Sequence, residues 1–309
     1  GSLLQEGNNL LKKGLHPLTL VDGYRKSLET ATDQINLDST KIDDKKLLLV
    51  AETALTGKGT EGALELFSSI IVKSLMSISE KQPIPRAENI AMFKSNTGNI
   101  HDSRIIQGVA FRRRVLMDSL PNKLSDVKVA VISGDIKIRK MTRTAEIQIT
   151  SADQLEAFVD AEQDRKNSIS QSLVDSGASL VLCGGEIDRD ILHNLADNNI
   201  LAVGELDSSE IENSASATGA KIVDSIADIE RKDLGFCGSV LWERNEASDM
   251  VEDIIRIDGC KKPGLVTVEV GGAGEIATEE IIRGLHDGLR AVSLAIEDQE
   301  ILPGGGAIH

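Results

Sequence analysis

The sequence predicts an α/β fold in which a mixed α/β domain is inserted between two mostly helical arms. Three observations support this prediction. Most of the first hundred residues carry apolar side chains at helical spacing. After Gly177, short apolar runs alternate with helical runs, as in a mixed α/β domain. The chain then returns to helix at 278–297, and such insertions are tolerated because domain termini often lie close together.

The first arm is predicted to contain four helices and one strand. Glycine and proline interrupt the helical pattern at 14–17 and again at 57–59. A polar connector at 80–99 includes a predicted strand around residues 90–92. The predicted helices are 3–13, 18–35, 45–55 and 63–78.

The spacing pattern of apolar residues changes near Ile105. Residues 127–132 alternate and then become fully apolar, as a half-buried strand does. A helix is predicted from Ser151, which forms a plausible capping box with Gln154, to Val174. The further predicted strands are 179–183, 200–203, 221–223, 239–242 and 265–270, and the further helices are 188–196, 208–217 and 278–297.

Composition excludes several classes of function. Lys and Arg number 34 against 49 Asp and Glu, a net charge of 34 − 49 = −15, which disfavours nucleic acid and anionic membranes. No apolar run reaches about 18 residues, so no transmembrane helix is expected, and no signal peptide is expected in this sequence. Cys183, Cys237 and Cys260 show no CxxC spacing, so neither a zinc site nor a disulfide framework is predicted. A reducing cytoplasm fits these cysteines best.

A glycine run lies close to the end of the sequence. Gly304, Gly305 and Gly306 follow Pro303, and glycine lets the backbone approach a ligand closely because no Cβ intervenes. Such a turn usually leads into another element. We therefore expect half of a site whose other half lies outside this sequence.

A second glycine-rich turn follows the predicted strand 265–270. Residues 272–277 match G-x-G-x-x-A, a pattern that can place a pyrophosphate at a helix N-terminus. A dinucleotide fold also needs a second strand ending in an acid roughly 20 residues on, and here the helix leads into Pro303 instead. A plain strand-to-helix turn at Gly272 is favoured, and a nucleotide-cofactor enzyme is kept as the alternative.

Lys58 and Asp287 are candidates for phosphate chemistry. Lys58 lies between Gly57 and Gly59 and is a mobile cation suited to a phosphate. It is not in a P-loop, because position 52 is Glu and position 59 is Gly. Asp287 lies off the apolar stripe of its helix, where a carboxylate can orient a water for attack on a phosphate. An ordinary loop and a solvated helix acid are the alternatives.

The predicted helix 151–174 has an apolar stripe only in its first half. Leu155, Phe158 and Val159 form this stripe, and residues 162–168 are strongly polar. A helix that loses its apolar face in this way projects into solvent or is an exposed helix end.

The order of these motifs resembles a group II chaperonin (thermosome or TRiC-like) subunit over essentially the whole chain. The His-Asp element and the glycine run, at their mutual spacing, are its most specific parts. The segments that carry the resemblance are GLHP at 14–17, DGYR at 22–25, LTGKG at 55–59, ATGAKIV at 217–223, GCK at 259–261, LHDGL at 285–289 and PGGGA at 303–307.

The resemblance implies a mixed α/β apical domain with a helical protrusion, inserted into a mostly helical α/β intermediate domain. The intermediate domain would comprise residues 14–107 and 266–303, and the apical domain 108–265. Residues 304–309 would be an equatorial stub, and residues 1–13 an equatorial stub or a remnant of expression.

The resemblance also implies roles by position. Asp287 matches the catalytic aspartate that positions the attacking water. Lys58, with Gly57, lies in the loop that senses the γ-phosphate, and Gly304 and Gly305 lie in the run that backs the nucleotide. Leu155, Phe158 and Val159 belong to the segment that forms the lid and holds clients.

The expected function is therefore that of an ATP-dependent protein-folding chaperonin subunit in the cytoplasm. ATP and Mg²⁺ would act in the full-length protein, with unfolded clients and other subunits of a double ring as partners. The family's Gly-Asp-Gly-Thr-Thr phosphate segment does not occur in this sequence. This fragment is therefore expected neither to bind ATP tightly nor to hydrolyse it, and an ATP-independent client-holding module is a further alternative.

Overall fold

A computed structural model describes residues 1–79, 84–95, 98–138, 152–245, 252–261, 263–272 and 274–306. Contacts divide the chain into two compact units, which are described separately. The first unit comprises residues 1–47 with 294–309, and the second comprises residues 48–293.

Eight helices and twelve strands form the described part of the chain. The helices are α1 (Ser2–Lys12), α2 (Pro17–Asp38), α3 (Asp44–Leu55), α4 (Leu64–Ser79), α5 (Ala152–Ser176), α6 (Arg189–Asp197), α7 (Ser208–Thr218) and α8 (Glu275–Asp298). The strands are β1 (Thr40–Lys41), β2 (Ile90–Lys94), β3 (Arg104–Ile106), β4 (Val109–Arg112), β5 (Lys123–Ile132), β6 (Leu180–Cys183), β7 (Leu201–Val203), β8 (Ile222–Val223), β9 (Gly235–Asn245), β10 (Glu252–Asp258), β11 (Val266–Val270) and β12 (Glu300–Ile301).

The first unit contains the packed pair of helices α1 and α2 and a small antiparallel sheet of β1 with β12. The helices approach closely at Gly7, where a Cβ would lie 2.0 Å from the hydroxyl of Tyr24. That hydroxyl donates a hydrogen bond to the carbonyl of Leu3 at 2.8 Å. Helix α2 is capped by His16, whose Nδ1 accepts from the amide of Leu18, and has Pro17 at its first position, where a missing N–H costs nothing.

The second unit holds a three-stranded sheet in which β11 is parallel to β2 and antiparallel to β3. All five residues of β11 are buried. Helices α4 and α8 lie close together because position 288 is glycine, and a Cβ there would lie 2.5 Å from Cδ1 of Ile71. The buried members of the stripe predicted for α8 are Ile281, Leu285, Leu289 and Val292.

The second unit also holds a seven-stranded sheet with the order β4-β10-β9-β5-β6-β7, in which β8 pairs with β5 as well. Strands β5, β6 and β7 are parallel, and β8 is parallel to β5. Parallel strands are covered on both faces and are therefore continuously apolar. Strand β6, with all four residues buried, shows this directly.

Most of the predicted elements are present, and the fold is the predicted mixed α/β type. The strand predicted at 239–242 is the middle of the longer strand β9. Strands β1, β3, β4, β10 and β12 were not predicted. Ser151, the predicted cap of α5, lies outside the described residues.

The three cysteines are free and buried. Burial raises the pKa of the Cys183 thiol to about 11 and the pKa of the Cys237 and Cys260 thiols to about 12. They are therefore protonated at neutral pH and act as packing residues. Among the described residues, no helix has the length and apolar character needed to cross a membrane.

Replacing Leu180 in β6 by Ala is expected to lower the free energy of unfolding by about 2–5 kcal/mol, because it leaves a cavity in a fully buried strand. Urea denaturation measures this loss. The matched control is Leu155→Ala, since that side chain is exposed and its truncation should change stability by less than about 0.5 kcal/mol. Equal losses for the two variants would contradict the assigned core.

Candidate functional site

The loop between α3 and the short helical turn Glu61–Ala63 carries Lys58. Gly57 adopts φ +79°, a left-handed conformation that favours glycine, and its amide donates to the Glu61 carboxylate at 3.2 Å. The buried hydroxyl of Thr60 donates to the carbonyl of Leu55 at 3.0 Å. These bonds fold the loop back on itself, so that the position of Lys58 is fixed by its own backbone.

Helix α8 presents glycine to this loop. A Cβ at Gly284 would lie 3.4 Å from Cγ2 of Thr60 and 3.5 Å from Cδ of Lys58. A Cβ at Gly59 would in turn lie 3.3 Å from Cγ of Glu280. The loop therefore packs directly against the helix, less than one turn before Asp287.

Lys58 and Asp287 form an ion pair across this contact. The Lys58 Nζ lies 2.6 Å from Oδ2 of Asp287, although 229 positions separate the two residues in the sequence. The side chains are 30% and 52% exposed, so both remain accessible to solvent. The hydrogen bond from Lys58, followed by its charge, lowers the pKa of the Asp287 carboxyl, and the charges of Arg290 and Arg283 contribute further. Asp287 is therefore an ionised carboxylate at neutral pH.

The structure thus brings together Lys58 and Asp287, the two residues named from the sequence as candidates for phosphate chemistry. Gly304 and Gly305 lie in the first unit, where both are exposed and Gly305 has φ +70°. Their role at a nucleotide stays a prediction. No group of three or more His, Cys, Asp or Glu side chains that could hold a metal ion occurs among the described residues.

Helix α5 projects from the fold at its N-terminal end. Every residue from 152 to 165 is exposed, and the side chains of the predicted stripe are exposed by 51% (Leu155), 46% (Phe158) and 55% (Val159). Phe158 also lines a cavity of about 580 Å³ together with Ile138. The apolar stripe is therefore available for contact with another molecule.

Polar contacts hold the base of α5 to the rest of the second unit. The Lys166 ammonium lies 2.6 Å from the Asp190 carboxylate and 3.3 Å from that of Asp188. Asn194 of α6 donates to Asn167 at 3.0 Å. These ion pairs and this side-chain hydrogen bond position the polar middle of the helix, and Leu173 anchors its C-terminal part in the core.

The turn at Gly272 does not form the arrangement that a dinucleotide site needs. It joins β11 to α8, but within the described ranges β11 pairs only with β2 and β3, which both precede it in the chain. Strand β12, which follows α8, pairs with β1. Ala273 lies outside the described residues. A parallel βαβ unit around this turn is therefore absent from the described part of the chain, which favours the strand-to-helix interpretation.

Sequence patterns missed two buried charged residues, Arg256 in β10 and Glu269 in β11. Their side chains are 10% and 4% exposed and lie 2.7 Å apart. Each is the single charge in an otherwise apolar run, IIRI at 254–257 and VTVEV at 266–270. A charge flanked by isoleucines in one strand and an opposite charge flanked by valines in another are a signal that could have identified the pair.

The fold is similar to that of a group II chaperonin subunit. The structure matches the open-state monomer of a group II chaperonin from Methanococcoides burtonii with a TM-score of 0.68 and 26% identity. The match covers 99% of this chain and 71% of that chain. The family model described as the TCP-1/cpn60 chaperonin family matches residues 1–309. The chain belongs to this family, and the resemblance stated from the sequence is confirmed.

Its relatives include archaeal thermosome subunits. The chain is 34% identical to thermosome subunit beta of Methanothermobacter thermautotrophicus, over 99% of this chain and 56% of that protein. It is also 34% identical to the thermosome subunit of Pyrococcus horikoshii, again over 99% and 56%. The chain therefore spans little more than half the length of these relatives.

Replacing Lys58 by Gln is expected to raise the pKa of Asp287 toward the ordinary range of an aspartate, because the carboxylate loses its hydrogen-bond donor and nearest charge. Side-chain carboxyl shifts followed by NMR against pH measure this change. In the unaltered chain, the pair stabilises the fold above the ordinary aspartate pKa, and this contribution is lost as the pH falls through the lowered pKa.

The matched control for this titration is Lys94→Gln. Lys94 pairs with Glu279 at 2.6 Å, also on α8, but is not among the groups that shift the Asp287 pKa. The Asp287 titration should be unchanged in this variant. A similar shift in both variants would contradict a specific pairing of Lys58 with Asp287.

Proposed function

We propose that this chain forms the client-binding, lid-forming and motion-transmitting region of an ATP-dependent protein-folding chaperonin subunit. The observation that carries the proposal is the 2.6 Å contact between Lys58 and Asp287. Both residues were assigned to the ATP site by position in the family pattern. In this proposal, residues 108–265 are the apical domain, and residues 14–107 with 266–303 are the intermediate domain.

Asp287 would act by orienting a water molecule toward the terminal phosphate. Its lowered pKa keeps the carboxylate ionised, so it can accept a hydrogen bond from that water at neutral pH. Lys58 is a partly exposed cation in a glycine-flanked loop, and the donor set therefore suits a phosphate oxygen. Bound ATP with Mg²⁺ would supply the phosphoryl group, and catalysis would rest on positioning and electrostatics.

The chain by itself is expected to bind ATP weakly. The Gly-Asp-Gly-Thr-Thr phosphate segment of the family is not in this sequence. We assign Gly57, Gly304 and Gly305 to the nucleotide's surroundings, and hydrolysis to a longer polypeptide that carries the remaining domain. Other subunits of a double ring would be partners of that polypeptide. The buried, free thiols fit the reducing cytoplasm.

Client binding is assigned to the exposed apolar stripe of α5. Unfolded chains expose apolar side chains, which bury area against Leu155, Phe158 and Val159 without needing a specific sequence. The same exposed stripe favours a second function, the ATP-independent holding of clients by this region alone. The two functions differ in whether nucleotide changes client release.

Replacing Leu155, Phe158 and Val159 together by Ser is expected to reduce suppression of aggregation at least severalfold, because the apolar contact area is lost. Light scattering of a heat-denatured client at fixed molar ratios measures suppression, without ATP. A matched control replaces Leu4, Leu18 and Leu28, which are exposed on α1 and α2, by Ser. Equal loss in both triple variants, or no suppression by the unaltered chain at large excess, would reject client binding at α5.

Asp287→Asn is expected to lower ATP hydrolysis by about 100-fold or more in a polypeptide that joins this chain to the remaining part of a thermosome subunit. Phosphate release under saturating ATP and Mg²⁺ measures the rate. Asp298→Asn, at the end of the same helix, should leave the rate unchanged. Undiminished hydrolysis in the Asp287 variant would contradict its catalytic role.

Micromolar binding of NAD(P) to the unaltered chain would instead favour a cofactor enzyme.

A further inference from the structure

The seven-stranded and three-stranded sheets of the second unit are joined by a buried ion pair. Arg256 of β10 belongs to the larger sheet, and Glu269 of β11 belongs to the smaller one. The guanidinium donates to both carboxylate oxygens, from Nη2 to Oε1 at 2.7 Å and from Nε to Oε2 at 3.1 Å. A bidentate pair of this kind fixes orientation as well as distance.

One further charged residue from each sheet extends this pair. Glu243 of β9 accepts from Nη1 of Arg256 at 2.6 Å, and Arg104 of β3 donates from Nε to Glu269 at 2.8 Å. The four residues alternate in sign and sum to zero charge. Burial by itself would raise the pKa of Glu269, but the hydrogen bonds and charges of Arg256 and Arg104 lower it. Glu269 therefore stays ionised at neutral pH.

The two backbone segments that cross between the sheets are also hydrogen-bonded to each other. The amide of Cys260, after β10, donates to the carbonyl of Gln107, after β3, at 2.9 Å. The Gln107 amide donates to the Asp258 carboxylate at 2.8 Å. A Cβ at Gly108 would lie 2.1 Å from the carbonyl oxygen of Ile257, so the backbones touch at this point.

A second contact between the sheets lies at Arg112 of β4. Its guanidinium donates to the backbone carbonyl of Lys94 in β2 and lies 5.1 Å from the ring centroid of Phe93. In addition, the Thr267 hydroxyl of β11 donates to the carbonyl of Gly108 at 2.8 Å. Every strand of the small sheet thus contacts the large sheet or the crossing that leads to it.

We propose that the Arg256–Glu269 pair is a coupling joint that makes the two sheets move as one body. A small rotation at this boundary would break bidentate geometry before water could reach the charges. Charges left unpaired in a dry site are costly, so such rotations are opposed. We assign the pair a role in orientation and not in stability, because buried ion pairs often contribute little net stability relative to apolar residues of similar size. If the proposed function holds, movement of the Asp287 helix reaches the sheet that carries α5 without bending at this boundary.

Distances between spin labels on the two sheets test the joint. His101→Cys beside the small sheet and Lys123→Cys at the start of β5 provide exposed attachment sites. Pulsed electron paramagnetic resonance on the full 309-residue chain should give one narrow distribution of distances between the two labels. Glu269→Gln should broaden this distribution and lower the melting temperature by roughly 5–20 °C, because Arg256 loses its buried, bidentate carboxylate partner and keeps only the more exposed Glu243.

A second variant separates coupling from stability. Arg256→Met with Glu269→Met replaces the buried pair by apolar side chains and should melt within about 5 °C of the unaltered chain. Its distance distribution should nevertheless be broad, because the bidentate geometry is gone. Arg256→Lys, which keeps the charge and removes the fork, provides a milder test if Glu269→Gln fails to fold.

The matched control is Asp253→Asn. Asp253 is a fully buried carboxylate that pairs with Arg244 at 3.1 Å, but both residues lie in the larger sheet. This variant should melt at a lower temperature and keep the narrow distribution. Unchanged widths in the Glu269 and Arg256 variants would overturn the proposal, and so would equal broadening in Asp253→Asn.

Discussion

The parallel pairing of β2 with β11 is the constraint on which the arrangement of the second unit depends. Their register joins Ile90 to Val266 and Lys94 to Val270, so residues far apart in the sequence become neighbours. The part of the chain that forms the seven-stranded sheet lies between β2 and β11 in the sequence. It must therefore start and finish beside this strand pair. The entropy of closing a long loop grows only slowly with its length, so a large domain can be inserted at modest cost. Helix α8 begins directly after β11, and the same pairing thereby fixes the origin of the helix that carries Asp287.

Sequence patterns predicted the elements whose burial is periodic. The stripe of α8 and the apolar runs of β5 and β6 were identified because burial on one or both faces leaves a direct record in residue order. Strands β3 and β4 are only three and four residues long, too short for a period to emerge. Strand β10 carries charges among its isoleucines, which obscured it. The proximity of Lys58 and Asp287 depends on glycine contacts between a loop and a helix, and periodicity holds no information on such contacts. Only the family resemblance implied that Lys58 and Asp287 belong to one site.

The molecule uses ion pairs in two different physical settings. Lys58 and Asp287 are partly exposed, so water and salt weaken their attraction and either group can exchange its partner for another charge. Arg256 and Glu269 are enclosed, and their alignment is held by two further charges and the surrounding strands. Under the proposed function, exchange at the exposed pair would let a phosphate enter, whereas the enclosed pair would keep the two sheets in one orientation. Exposure, together with the bidentate contact that only the guanidinium makes, distinguishes the two pairs.

The hydrogen bond between Cys260 and Gln107 places the entry and the exit of the larger sheet side by side. Residues 108–260 are therefore a segment whose two ends meet, and they can be excised as a separate gene fragment without stretching the backbone. A short linker between these ends would also permit circular permutation, with new termini opened in an exposed turn elsewhere in the segment. The same geometry makes this position a natural point for exchanging the whole segment between related subunits.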